Sequence, residues 1–134
     1  AEPGKIMLGL PLYGKTFKLC EKGHEPGDKS CGAANPDTLH YYEILKRLND
    51  GRLQRKWMKD ELVPYAFSEQ ERLWVGYDDE ESIRAKVNFA RQKKLGGVMV
   101  WAIDTDDFSG QFGGQGVKYP LMTTIKDTLE GKSE

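Results

Sequence analysis

The segment from Leu95 to Gly110, LGGVMVWAIDTDDFSG, constrains the fold more than any other, because an apolar run passes directly into a tryptophan and then a cluster of acids. Val98, Met99, Val100 and Ile103 suit a strand covered on both faces, as in a parallel sheet packed under helices. Trp101, Asp104, Asp106 and Asp107 then fall at or just past the strand's C-terminal end. That is the end at which α/β folds gather the side chains that meet ligands. A flat indole beside acids makes a floor for a sugar-like ring. An indole that only caps a core, with the aspartates solvated in a loop, fits the same letters equally well.

The flanking sequence supplies the other elements. Lys5 to Leu12 is a short apolar run ending near Pro11, which reads as a buried strand. Thr16, Phe17 and Leu19 alternate with lysines as a half-exposed strand does, and a turn-rich polar loop continues to Pro36. Asp37 or Thr38 is placed to cap a helix running to about Asn49, with Tyr41, Ile44, Leu45 and Leu48 on one face. Leu62 to Phe67 and Leu73 to Tyr77 read as an antiparallel hairpin. Asp78 and Asp79 open a helix from about Glu80 to Lys94, acidic at its start and basic at its end, with Ile83, Val87 and Ala90 as its apolar stripe. Gly96 and Gly97 are expected to end it and release the chain into the Val98 strand. A last helix runs from about Pro120 to Leu129.

Composition sets the bounds. The chain has 134 residues, 38% of them hydrophobic, and a formal net charge of −1. That balance argues against nucleic acid or an anionic membrane surface as partner, and no apolar run approaches a bilayer span. The basic run of Lys46, Arg47, Arg52, Arg55, Lys56 and Lys59 around Trp57 is interrupted by Asp50, Asp60 and Glu61, and reads as a solvated surface. The glycines from Gly110 to Gly116 do not keep dinucleotide-loop spacing and follow acids that would repel phosphate. An EF-hand fails for want of a closing glutamate.

Cys20 and Cys31 are the only two cysteines. A disulfide between them is favoured and would contribute roughly 3 kcal/mol by restricting the unfolded chain in an oxidising compartment. A metal site built from Cys20, His24, Asp28 and Cys31 matches no standard zinc spacing, and two free thiols remain the third option.

Strand, mixed α+β segment, helix, strand, helix accounts for about a quarter of a closed eight-stranded barrel. Such a wall leaves strand edges and apolar surface unpartnered, so the remainder is expected upstream of Ala1, in keeping with the missing initiator methionine.

GLPLYGKTF (Gly9 to Phe17), YYEIL (Tyr41 to Leu45), VPYAF (Val63 to Phe67), WVGYDD (Trp74 to Asp79) and GGVMVWAIDTDDFSG (Gly96 to Gly110) occur here in the order found in animal chitinases and chitinase-like lectins. The chain resembles that group, glycoside hydrolase family 18, over nearly its whole length. The resemblance implies an α/β fold: the C-terminal portion of a (β/α)8 TIM barrel, residues 1–15 and 78–134, carrying a chitinase insertion domain at residues 16–77. It also implies a secreted parent acting on β-1,4-linked N-acetylglucosamine by substrate-assisted retaining catalysis, without metal or cofactor. The family's catalytic Asp-x-x-Asp-x-Asp-x-Glu motif is absent. Asp104, Asp106 and Asp107 lack its terminal glutamate and lie on another strand, so the chain alone is expected to be inactive.

The resemblance leaves this chain a binding role. Trp101 matches the indole that floors the subsite before the scissile bond, and Tyr13 a cleft tyrosine, although a core tyrosine at the barrel rim fits too. Lys15 stands where many relatives carry arginine, which keeps the charge and loses the planar fork. Glu43 matches a glutamate that reaches toward the cleft, although an exposed helical glutamate is more often only solvated. Leu45 and Gly113 stand where many vertebrate members pair two cysteines. The parent is either a chitinase or a lectin that kept the cleft and lost the acid; chitin or a chitooligosaccharide is the implied ligand of both.

Overall fold

A computed structural model of the chain describes residues 1–20 and 23–132. Its first strand, β1 (Met7–Pro11), and its last, β7 (Gly97–Trp101), pair in parallel with Leu8 opposite Val98 and Leu10 opposite Val100. Alternation sends those four side chains toward the core, beneath α2 (Glu80–Gln92) and α3 (Pro120–Leu129). The other face carries Met7, Met99 and Trp101, all exposed. The expectation of a strand covered on both faces is corrected: β1 and β7 form a two-stranded sheet whose second face is left open by the described residues.

Between them lies a five-stranded antiparallel sheet, in the order β3 (Ser30–His40), β2 (Tyr13–Leu19), β6 (Leu73–Gly76), β5 (Val63–Ser68), β4 (Gln54–Met58). Leu12, fully buried, joins the two sheets: its N–H donates to Trp101 O at 3.0 Å, and its carbonyl accepts from Tyr41 N at 3.2 Å. Leu10, Leu12, Leu39, Ile44, Val75 and Ile83 belong to one continuous core that spans both sheets and the three helices.

Two expectations fail in the region between Ser30 and Met58. The polar loop expected to reach Pro36 is in its second half the long irregular strand β3, whose pairing with β2 shifts register between Lys15 and Leu19. Helix α1 (Tyr41–Asn49) accordingly starts later than Asp37 or Thr38, and His40 is its N-cap, donating its N–H to Glu43 Oε2 at 2.8 Å. The free backbone edge of β2 recruits the glycine- and alanine-rich segment that local propensity leaves undecided. Strand β4 was not foreseen, because it is an edge strand with mostly exposed residues and so lacks apolar alternation. Its Arg55 sits 5.1 Å over the Trp57 ring and pairs with Asp79 at 2.7 Å and Glu81 at 2.9 Å, so part of the basic run ties the sheet to α2.

The helices otherwise follow the sequence. Asp79 and Ser82 cap α2 reciprocally: Asp79 Oδ1 accepts from Ser82 N at 3.0 Å, and Ser82 Oγ accepts from Asp79 N at 2.9 Å. The end of α2 differs, for Lys94 rather than a glycine takes the left-handed conformation, at φ 54°. Gly96 is needed for another reason, since a Cβ there would stand 2.4 Å from the Gly4 carbonyl oxygen.

Cys20 and Cys31 form a disulfide, with their Cα atoms 5.1 Å apart, so neither the metal site nor the free thiols apply. Among the described residues no group of three or more metal-binding side chains converges. No described helix is long and apolar enough to cross a membrane.

Gly14 lies where β2 meets the core. A Cβ at that position would fall 2.6 Å from Val75 Cγ2, 2.8 Å from Ile44 Cδ1 and 3.0 Å from the Gly76 oxygen. Gly14→Ala is therefore expected to cost about 1–3 kcal/mol of stability through overpacking, read as a lowered urea midpoint. An unchanged midpoint would mean that α1 can shift away from the sheet.

Candidate functional site

The carboxyl ends of β1 and β7 open onto a cleft of about 260 Å³ lined by Tyr13, Lys15, Thr38, His40, Trp101 and Thr105. Trp101 ends β7 and is 70% exposed, which is unusual for so large an apolar side chain. Its backbone is fixed on both sides: Trp101 O accepts from Leu12 N, and Thr105 Oγ1 donates to Ala102 O at 2.7 Å. The indole is thus presented on a held backbone while its ring faces open space.

The second wall comes from the five-stranded sheet. Tyr13 and Lys15 share one face of β2, and the β2–β3 register sets His40 opposite Tyr13 and Thr38 opposite Lys15. Lys15 Nζ donates to Thr38 Oγ1 at 2.9 Å and lies 3.8 Å from Asp37 Oδ2. That exposed ion pair contributes little to stability but places the ammonium at the cleft edge. His40 Nδ1 lies 3.0 Å from the Tyr42 hydroxyl, so one ring nitrogen is engaged outside the cleft. The arrangement joins an apolar aromatic floor to hydroxyl, ammonium and imidazole groups. That combination suits a ring with one apolar face and polar substituents around its edge.

Of the residues singled out from sequence, Trp101, Tyr13 and Lys15 come together here. Glu43 does not line the cleft; its carboxylate is occupied in the α1 cap. Thr38, His40 and Thr105 were missed. Cross-strand register would have found the first two, but it was hidden because their segment read as a loop and a helix start.

Of the acids past β7, Asp104 is exposed, whereas Asp106 and Asp107 are neither cleft groups nor solvated loop residues. Asp106 and Asp107 are completely buried. Asp106 accepts from the N–H groups of Asp107 (2.8 Å), Leu121 (3.3 Å) and Met122 (3.0 Å), anchoring the first turn of α3. Asp107 accepts from Ser109 Oγ and from the N–H groups of Gly110, Phe112 and Gly113 at 2.9–3.1 Å, and so shapes the following loop. That loop packs on α1: Tyr42 contacts Phe108 and Phe112, and a Cβ at Gly113 would lie 3.9 Å from Leu45 Cδ1. Leu45 and Gly113 are thus neighbours here without a covalent link.

Burial raises the Asp106 carboxyl above the usual range, against the pull of its three N–H donors. Burial pushes Asp107 the same way but is outweighed by the Ser109 hydroxyl and its N–H donors, which leave it below the usual range. The two therefore act oppositely on acid stability. Asp107, with a depressed folded value, stabilises the fold above its unfolded value near 3.9 and loses that contribution as pH falls through the folded value. Asp106 gains as it protonates. The gap in unfolding free energy between the native chain and Asp107→Asn is expected to narrow between about pH 5 and about pH 2. A gap that stays constant in urea titrations would contradict this assignment.

Parallel strands that end in an open indole, flanked by a polar antiparallel wall, define an α/β protein with a cleft at the carboxyl ends of its parallel strands. The chain belongs to the glycosyl hydrolases family 18, whose model matches residues 1–106. It is 40% identical over 135 residues to oviduct-specific glycoprotein of Ovis aries, an alignment covering 95% of this chain and 24% of that protein. Among solved structures it resembles human YKL-39, described as a pseudo-chitinase with retained chitooligosaccharide binding properties. The TM-score is 0.86 at 36% identity, over 96% of this chain and 36% of that one. Ostrinia furnacalis Group II chitinase catalytic domain 2 superposes with a TM-score of 0.90 at 32% identity, over 99% of this chain and 36% of that one. The α/β fold is thus that of family 18 chitinase domains, and the chain spans about a quarter of the curated relative's length.

Proposed function

We propose that the chain is the sugar-binding C-terminal part of a secreted chitinase. In this assignment β1 and β7 are the last two strands of a (β/α)8 barrel, residues 1–15 and 78–134 form its wall, and residues 16–77 are the insertion domain. The observation that carries the proposal is the convergence of Trp101, Tyr13 and Lys15 on one cleft from two different sheets. The indole would stack under the apolar face of an N-acetylglucosamine unit, while Tyr13, His40 and Lys15 would meet its oxygens. Glu43 would act indirectly, by holding the His40 backbone through the α1 cap.

Catalysis would belong to the rest of the parent. Asp106 and Asp107 are buried and committed to donors of their own chain, so neither is placed to give a proton to a bound sugar. A non-catalytic lectin is the second reading, favoured by the similarity to a pseudo-chitinase that retains chitooligosaccharide binding. The Cys20–Cys31 disulfide supports an oxidising, extracellular setting for either parent. Calorimetric titration of the chain with N-acetylglucosamine tetramer, combined with a reducing-end assay, tests the proposal. Saturable binding without turnover is expected. Turnover by the pure chain, or no binding, would overturn it.

A further inference from the structure

We infer that the five-stranded sheet carries a second ligand site, on the face opposite the cleft, for a sugar-sized molecule bearing a phosphate or sulfate ester. Alternation along β2 separates the two sites: Tyr13 and Lys15 turn toward the cleft, while Thr16 and Lys18 line a cavity of about 410 Å³ behind the sheet. That volume lies within the range of small-molecule sites, roughly 300–1,000 Å³.

Three cations enter this cavity from three different elements: Lys18 from β2, Arg47 from α1, and Arg72 from the turn between β5 and β6. Among its described lining residues they face a single carboxylate, Glu71. That carboxylate is already engaged by Arg52, which lies outside the lining and reaches Glu71 Oε1 with two nitrogens at 2.9 Å, whereas Arg47 is 3.6 Å from Oε2. Arg72 spends one nitrogen on the Cys20 carbonyl, and a guanidinium has donors to spare. The excess of positive charge is local, since the whole chain is slightly acidic.

The geometry selects the anion. One guanidinium fork satisfies a planar carboxylate, whereas donors arriving from three elements match the divergent oxygens of a tetrahedral ester. Ala34, Pro36 and Leu73 provide an accessible apolar floor, and Asn35 adds an amide to the wall. A bare ion would leave that floor uncovered, so the site fits an ester carried on a ring.

Amide NMR titration of the full chain with N-acetylglucosamine 6-phosphate and with its 6-sulfate tests the inference, with N-acetylglucosamine and inorganic phosphate as controls. Saturable shifts at Ala33, Ala34 and Leu73 are expected with an ester, and the stronger of the two identifies the anion. Lys18→Met and Arg47→Gln should each weaken the ester at least fivefold, and Trp101→Ala should leave its affinity unchanged. Lys18 is exposed, so its variant keeps the test valid if Arg47→Gln disturbs Glu71. Equal shifts with the neutral sugar, equal affinity for inorganic phosphate, or unchanged binding in both variants would overturn the site.

Discussion

Asp107→Ala is expected to lower the unfolding free energy by about 3 kcal/mol. The substitution removes four acceptor contacts at once: Oδ1 serves Ser109 Oγ and Gly110 N, and Oδ2 serves Phe112 N and Gly113 N. Gly110 N–H keeps the Asp107 carbonyl oxygen at 3.2 Å, so the loss falls chiefly on the half-buried Phe112 N–H, whereas Gly113 is exposed and recovers part of its loss from solvent. The orphaned donors and the space left by the carboxylate set the magnitude. Asp107→Asn keeps one acceptor and should lose roughly half as much. Urea unfolding followed by circular dichroism reads both values. A loss below about 1 kcal/mol for the alanine variant would show that the loop from Phe108 to Gly113 holds itself through its packing on α1.

The second large effect concerns binding. Trp101→Ala should weaken chitooligosaccharide binding at least thirtyfold without changing stability. An indole covered on one face loses about 80 Å² or more of apolar contact, which at about 25 cal/mol per Å² is roughly 2 kcal/mol. Stability should be insensitive because the ring is 70% exposed and contributes little to the core. Calorimetry with the N-acetylglucosamine tetramer, set beside the urea midpoint, separates the two terms. An affinity within threefold of the native chain would remove the indole from the binding surface. A large fall in midpoint would instead make Trp101 a structural residue.

Much of this arrangement was legible in the sequence wherever pattern and position coincide. The existence of β1 and β7 as apolar strands, the Asp79 cap of α2 and the Pro120 start of α3 depend on local chemistry and are legible in it, whereas the open second face of the two strands is not. Trp101, Tyr13 and Lys15 could be brought together because two of them end parallel strands or immediately follow one, and the resemblance supplied the rest. What could not be read depends on contacts distant in sequence. The course of β3 is set by the edge of β2 rather than by its own residues. Edge strand β4 hides its pattern among lysines and arginines. His40 and Thr38 enter the cleft only through cross-strand register. Asp106 and Asp107 illustrate the opposite hazard: acids that follow a strand and precede a glycine-rich loop look functional in one dimension, yet in three their oxygens are used up by backbone donors. Nothing in a linear sequence distinguishes an acid that meets a ligand from one that meets its own chain.

The most direct measurement is a set of intermolecular NOEs between N-acetylglucosamine trimer and the chain's indoles. Trp101, Trp57 and Trp74 give three distinguishable reporters. Contacts from the sugar's ring protons to the Trp101 indole, joined by contacts to Tyr13 and absent at Trp57 and Trp74, are predicted. Contacts centred on Trp57 or Trp74, with none at Trp101, would contradict the cleft as the sugar site.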